Sequence, residues 1–386
     1  MNSRNVRSVR ARVLAVLGAT VTMLVGFAAS DQAFAVGGNT ADKAYGYVVR
    51  VIVGGSRGCT GVLLTRQLVA TSLECFRVGS APPVAGPPPA PSTANPRSDV
   101  GFSATPVAID YIIPRDDRNL VLAHLSGAGI IASPGSVSVA ATAPASGETL
   151  QVLGFGRTSQ DWVPDVPHAA QFVVQDVSAT GAGVIPGGSG SICKGDAGGP
   201  VLRQDGTGAA TLAGMVDTSW QGGCLAETGT RRDATITRAD DLGAWFKQFE
   251  VTTVDGVVAA GSGNGCLVVQ SGGQTYSLGG YDGAVVKAGA NLHLTGFPAP
   301  SAADPCNQGL RFQVTGAVPI QALAGTVKAG GALNCLLLGR NLLVGGDRTV
   351  LQAGVSVQVT GYPDPTVAST CQQGAPFRVL TAVKTG

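Results

Sequence analysis

The sequence predicts an all-β chain of several small domains, and three observations carry that expectation. Glycine fills 56 of 386 positions and charged residues only 13%, while hydrophobic residues still make up 44%. Short apolar segments alternate with turn-forming residues along most of the chain. From about Val251 onward the sequence repeats itself. Disorder requires low hydrophobicity with high charge, and a coiled coil requires about half Ala, Glu, Lys, Leu and Arg, so neither class fits. A net charge of +2 gives no pull toward nucleic acid. At about 150 residues per domain, the length suits two or three domains.

Residues 1–35 read as an export signal: Arg4, Arg7, Arg10 and Arg12, an apolar run from Val13 to Ala29, then the small-residue site Ala33, Phe34, Ala35. Gly18, Thr20, Thr22 and Gly26 dilute the run, which argues against an anchor, and no later stretch is long and apolar enough to span a bilayer. The expected location is therefore extracellular. There an even count of 8 cysteines favours disulfides. No cysteines are spaced as CxxC, and His124, His168 and His293 are scattered, so no metal site is expected.

Residues 36–250 form the first expected domain, built of short strands such as Tyr47 to Val53, Gly61 to Leu64 and Gln171 to Val177. The proline-rich stretch 81–98 lacks backbone donors and is expected to be a solvated loop. Leu242, Trp245, Phe246 and Phe249 fall at helical spacing after Asp240 and Asp241, which predicts a closing helix over 240–250. GSGNGC at Gly261 to Cys266 lacks the strand and helix that a nucleotide-binding loop needs, and reads as a linker.

Residues 251–320 and 321–386 form a tandem pair. NLHLTGFPAPSAADPCNQGLRFQV is echoed by SVQVTGYPDPTVASTCQQGAPFRV at an offset of about 65 to 69 residues. Each copy holds two cysteines, so the simplest pairing is Cys266–Cys306 and Cys335–Cys371. Alternation at the strand period in such short units predicts two small stapled β-barrels, to which a resemblance to small secreted modules adds an OB-like form. Tyr281, Phe297 and Tyr362 are either turn aromatics or the lining of a groove. The copies resemble small secreted actinobacterial modules.

Two motifs make the first domain specific. CKGDAGGP spans Cys193 to Pro200, and GMVDTSWQGGC ends at Cys224. Together with CTGVLLTRQLVATSLECF, RNLVLAHL and GFGRT, in that order, they resemble the trypsin-like serine proteases, which implies a chymotrypsin-like double Greek-key β-barrel. The resemblance implies disulfides Cys59–Cys75 and Cys193–Cys224, and an oxyanion hole from the amides of Gly195 and Ala197. It places Ser191 at the floor of the primary pocket, with Ser189 pointing the same way, and Ser219, Trp220 and Gln221 along the substrate edge. Gln221 stands where the family has glycine and threatens the entrance; Trp220 is either part of that edge or core packing. It also makes Asp196 the partner of a freed amino terminus at Val36–Gly38, with VIVGG at Val51 to Gly55 a decoy.

All three members of the family's catalytic triad are replaced. Glu74 stands for the histidine, Asn119 for the aspartate and Ala197 for the serine. An alanine methyl cannot attack a carbonyl, and an ionised Glu74 would set a negative charge near the developing oxyanion. His124 is expected on the opposite face of its strand and His168 in a later loop. The leading expectation is thus a secreted, inactive homologue that binds protein or peptide, without a cofactor. One alternative is a serine endopeptidase with its nucleophile moved to Ser189 or Ser191. Another is a chain whose repeats do the work, for instance at the cell wall.

Overall fold

The computed structural model describes residues 40–41, 43–97, 105–131, 135–205, 209–300, 304 and 306–385. The export signal and the Val36–Gly38 terminus expected from the sequence lie outside these residues.

Six strands make the first barrel: β1 (Val48–Val53), β2 (Arg57–Thr65), β3 (Leu68–Thr71), β4 (Ser92–Pro96), β5 (Val107–Pro114) and β6 (Val121–Leu125). They close in the order β1-β2-β3-β6-β5-β4. The β-branched run of β1 suits a pleated, buried surface, and Gly54 and Gly55, both at positive φ, turn it into β2. β4 corrects the expectation of a loop over 81–98, because it pairs with β1 and with β5. The prolines crowd into residues 82 to 91, whereas Ser92, Thr93, Ala94 and Asn95 keep their donors and only Pro96 ends the strand.

The second barrel uses β7 (Ser138–Val139), β8 (Thr149–Gly154), β9 (His168–Val177), β10 (Gly181–Pro186), β11 (Pro200–Gln204), β12 (Ala210–Ser219) and β13 (Ala234–Arg238). The order β11-β8-β9-β10-β13-β12 is closed by pairing of β11 with β12, and β7 adds parallel to β12. Helix α1 (Gly243–Gln248) follows. It buries Phe246, with Leu242 and Phe249 at its two ends, against the first barrel's core. Asp240 and Asp241 lie before it and pair with Arg238 and Arg118 instead of capping it.

Strands β14 (Thr252–Ala260), β15 (Leu267–Ser271), β16 (Gln274–Gly279), β17 (Asn291–Pro298) and β18 (Leu310–Pro319) close a five-stranded barrel in the order β14-β15-β16-β18-β17, with β16 parallel to β18. That first-second-third-fifth-fourth order is an OB-type connectivity. The second copy repeats it with its first strand broken into β19 (Gln321–Thr326) and β20 (Lys328–Ala329), followed by β21 (Leu336–Leu338), β22 (Asn341–Gly345), β23 (Ser356–Pro363) and β24 (Ala375–Lys384). Disulfides join Cys59 to Cys75, Cys193 to Cys224, Cys266 to Cys306 and Cys335 to Cys371.

Phe297 and Tyr362 hold the same place in the two copies, and neither is a turn aromatic nor a groove wall. Phe297 is buried in the first barrel's core and stacks at 4.0 Å on His124, whose Nδ1 pairs with Asp110 at 2.7 Å. Tyr362 stacks at 3.8 Å on His293, whose Nδ1 pairs with Asp255 at 2.5 Å. Each copy therefore docks an aromatic ring onto an imidazole–carboxylate pair of an earlier barrel. The second copy has Gln358 and Ala324, also register partners, where the first has His293 and Asp255.

Candidate functional site

The chain leaves β3 through Ser72 into a 3-10 turn, Leu73–Phe76, which the Cys59–Cys75 disulfide pins to β2. Ser72 Oγ caps the turn by accepting from Glu74 N at 3.2 Å. Asn119, on the bend that enters β6, reaches the same turn: its Oδ1 accepts from Ser72 Oγ at 2.9 Å and from Glu74 N at 3.1 Å. Its Nδ2 donates to Asp217 Oδ1 at 2.5 Å, and Asp217 Oδ2 accepts from Thr235 Oγ1 at 3.2 Å. Asp217 was not singled out by sequence, because nothing local marks a carboxylate 98 residues away as the partner of Asn119. The Glu74 carboxylate does not turn inward as expected. It forms a bidentate pair with Arg77, 2.7 Å at its closest, and is 49% exposed.

Glycines bring the Cys193–Gly199 loop against this turn. Gly198 has φ +80, and a Cβ there would stand 2.4 Å from Ser72 N and 2.3 Å from Thr71 Oγ1. Thr60 fixes the loop from the β2 side: its N donates to Ala197 O at 3.0 Å and its Oγ1 to Gly195 O at 2.8 Å. With those carbonyls held by Thr60, neither the Gly195 nor the Ala197 amide has a backbone acceptor among the described residues. The Ala197 methyl beside these amides has no atom able to attack a carbonyl.

Asp196 is fully buried and accepts from Gly156 N and Cys193 N, each at 2.8 Å. Gly154 and Gly156 make room for it, since a Cβ on Gly154 would stand 1.9 Å from its Oδ1. Burial pushes its carboxyl up to about 7, against the pull of the two amides.

Residues 191–194 and 219–223, where the pocket is expected, are stitched together by Cys193–Cys224 and by Ser219 Oγ donating to Ile192 O at 2.7 Å. Gln221 adopts φ +64, and its side chain crosses from one wall to the other. Its Oε1 accepts from Lys194 N at 2.8 Å and from Arg157 Nη2 at 3.2 Å, while its Nε2 donates to Ser219 Oγ at 2.7 Å. Ser191 is 1% exposed and its Oγ has no hydrogen-bond partner. Ser189 is exposed instead of facing the floor. Trp220 is 59% exposed under the Arg231 guanidinium, 3.9 Å above the ring, which removes the core-packing reading.

The histidines are committed elsewhere. His124 is 1% exposed beneath Phe297. His168 opens strand β9 instead of sitting in a loop, and burial lowers its basicity. Grooves of about 760 and 470 Å³ meet at Arg118 and Asn119: the larger runs past Glu74, Pro82 and Pro83, the smaller past Asp176 and Asp217. Among the described residues no cluster of His, Cys, Asp or Glu is placed to hold a metal ion. No helix among them is long and apolar enough to cross a membrane.

Among curated proteins none matches the chain. The sequence model of one family, described as Trypsin, matches residues 35–240, more than half of the 386 residues, and covers both six-stranded barrels and the Cys193–Gly199 loop. The cysteine-pinned turn, the glycine-packed loop and the buried Asp196 all fall within that match, and the chain belongs to the trypsin family.

Proposed function

We propose that this chain is a secreted, catalytically inactive trypsin homologue that binds protein or peptide. The observation that carries the reading is Ala197, a methyl group where acyl transfer needs a hydroxyl, beside Asn119, an amide with no basic site, and Glu74, whose carboxylate is held outward by Arg77. A family member lacking its triad retains roughly 10³ to 10⁴-fold over water from the oxyanion hole and binding, far too little to cleave peptides usefully. The support for binding is the exposed edge around Trp220, next to a loop with two unclaimed amides, an arrangement suited to a partner's extended main chain. Four disulfides favour an oxidising compartment outside the cell. The two C-terminal barrels, residues 251–320 and 321–386, act as docked adaptors.

The test is labelling of the purified mature chain with a fluorophosphonate, together with turnover of peptide substrates. The reading requires neither. An adduct at any serine, lost on Ser189→Ala or Ser191→Ala, would favour a relocated endopeptidase.

A further inference from the structure

We infer that the pocket behind Gln221 is built for an acidic side chain, so that the peptide or protein this chain binds presents an Asp or Glu there. The inference rests on the binding role proposed above and names the chemistry of its ligand.

The base of the pocket holds an unused hydrogen-bonding group. Ser191 Oγ is buried without a partner, a state that costs free energy unless something else fills it. Beside it stands a cation. A Cβ on Gly223 would lie 2.8 Å from Ser191 Oγ and 3.7 Å from Arg232 Nε, so both groups stand against the same face of this glycine. Arg232 donates through Nη1 to Ser189 O at 3.1 Å and, among the described residues, pairs with no carboxylate. Its neighbour Arg231 is taken by Asp233 at 2.5 Å.

The mouth has the same sign. Gln221 Oε1 sits where the Lys194 amide and the Arg157 guanidinium converge, and Arg157 is 5% exposed with its Nε still unpaired. Glu227, at the mouth, is shared between Arg157 and Lys194 Nζ, the latter at 3.6 Å. The amide oxygen of Gln221 thus occupies an oxygen-accepting position lined by donors. An incoming carboxylate makes the same contacts with full charge and continues to Ser191 and Arg232 once Gln221 swings aside. A lysine or arginine side chain would meet Arg157 and Arg232 without a free counter-charge.

The experiment titrates the mature chain and its Gln221→Gly variant with three N-acetylated tetrapeptide amides that differ only in the last residue, Glu, Gln or Lys, by isothermal titration calorimetry. Glycine is compatible with the positive φ of Gln221, so the variant opens the mouth without backbone strain. The expected result is that the Glu peptide binds roughly ten- to hundredfold tighter than the Gln peptide, the worth of one charge-assisted contact. The Lys peptide should be weakest. Arg232→Gln, in the same background, should bring the Glu and Gln peptides to equal affinity. Equal binding of Glu and Gln peptides, a Lys preference, or a Glu preference that survives Arg232→Gln overturns the charge assignment and leaves the binding role standing. Binding of none of the three to the opened variant overturns both.

Discussion

On the proposed reading, building a triad at positions 74, 119 and 197 should require a fourth substitution, at Asp217. Glu74→His with Ala197→Ser supplies a base and a nucleophile but leaves Asn119, whose Nδ2 already donates to Asp217 Oδ1 at 2.5 Å. That amide presents a donor toward the new imidazole and favours the wrong tautomer, which in this triad chemistry costs about 10⁴ in kcat. Adding Asn119→Asp puts two carboxylates where the short amide–carboxylate bond now stands. At that distance both cannot stay ionised, so one holds a proton and the imidazole loses its full counter-charge. Replacing Asp217 by Asn as well returns a donor to the new carboxylate and leaves it charged. The assay is the second-order rate of fluorophosphonate labelling against pH. The double variant should be slowest by about 10⁴ relative to the quadruple variant. The triple variant should lie between them and approach the quadruple as pH rises and the shared proton leaves. A triple variant as fast as the quadruple at every pH would refute the coupling of Asn119 to Asp217.

Two further outcomes follow from the packing. Phe297→Ala empties a buried site between the first barrel and the first repeat, at a cost of about 3–5 kcal/mol. Calorimetry should then show the repeats melting separately, and an unchanged single transition would contradict the docking role of Phe297. Asp196 holds its proton up to about pH 7 in the folded chain against an ordinary value of 3.8, so the folded state binds more protons than the unfolded one. Stability from this group is full below about pH 4, falls as pH rises toward 7 and is gone above it. Urea midpoints should show that fall, and Asp196→Asn should flatten it. An amino terminus delivered to Asp196 would keep the carboxylate charged and remove the slope; a flat profile in a chain whose mapped first residue lies beyond Gly38 refutes the burial argument.

Much of this architecture was legible because it is written locally. The cysteines flank their loops, the duplication shows in the matched pattern of NLHLTGFP and SVQVTGYP, and CKGDAGGP carries the loop around Ala197 in eight consecutive residues. The features that escaped are contacts between distant residues. Ser92–Pro96 looked like more of a proline loop, yet its four leading residues retain the donors that close a barrel. Asp217, Thr60 and Arg232 acquire meaning only once β2, β12 and the strand-to-strand turns are folded together. Phe297 and Tyr362 sit in matching places, but nothing in their neighbours' spacing reveals that each meets a histidine, 173 and 69 residues earlier in the chain.

The central claim is that the position that should carry a nucleophile carries a bare methyl. Intact-mass spectrometry of the mature chain after prolonged exposure to a fluorophosphonate tests it most directly. The mass should stay unchanged, whereas Ala197→Ser combined with the three supporting substitutions should gain one adduct. A stoichiometric adduct on the unaltered chain, mapped to any serine of residues 36–250, would contradict the account.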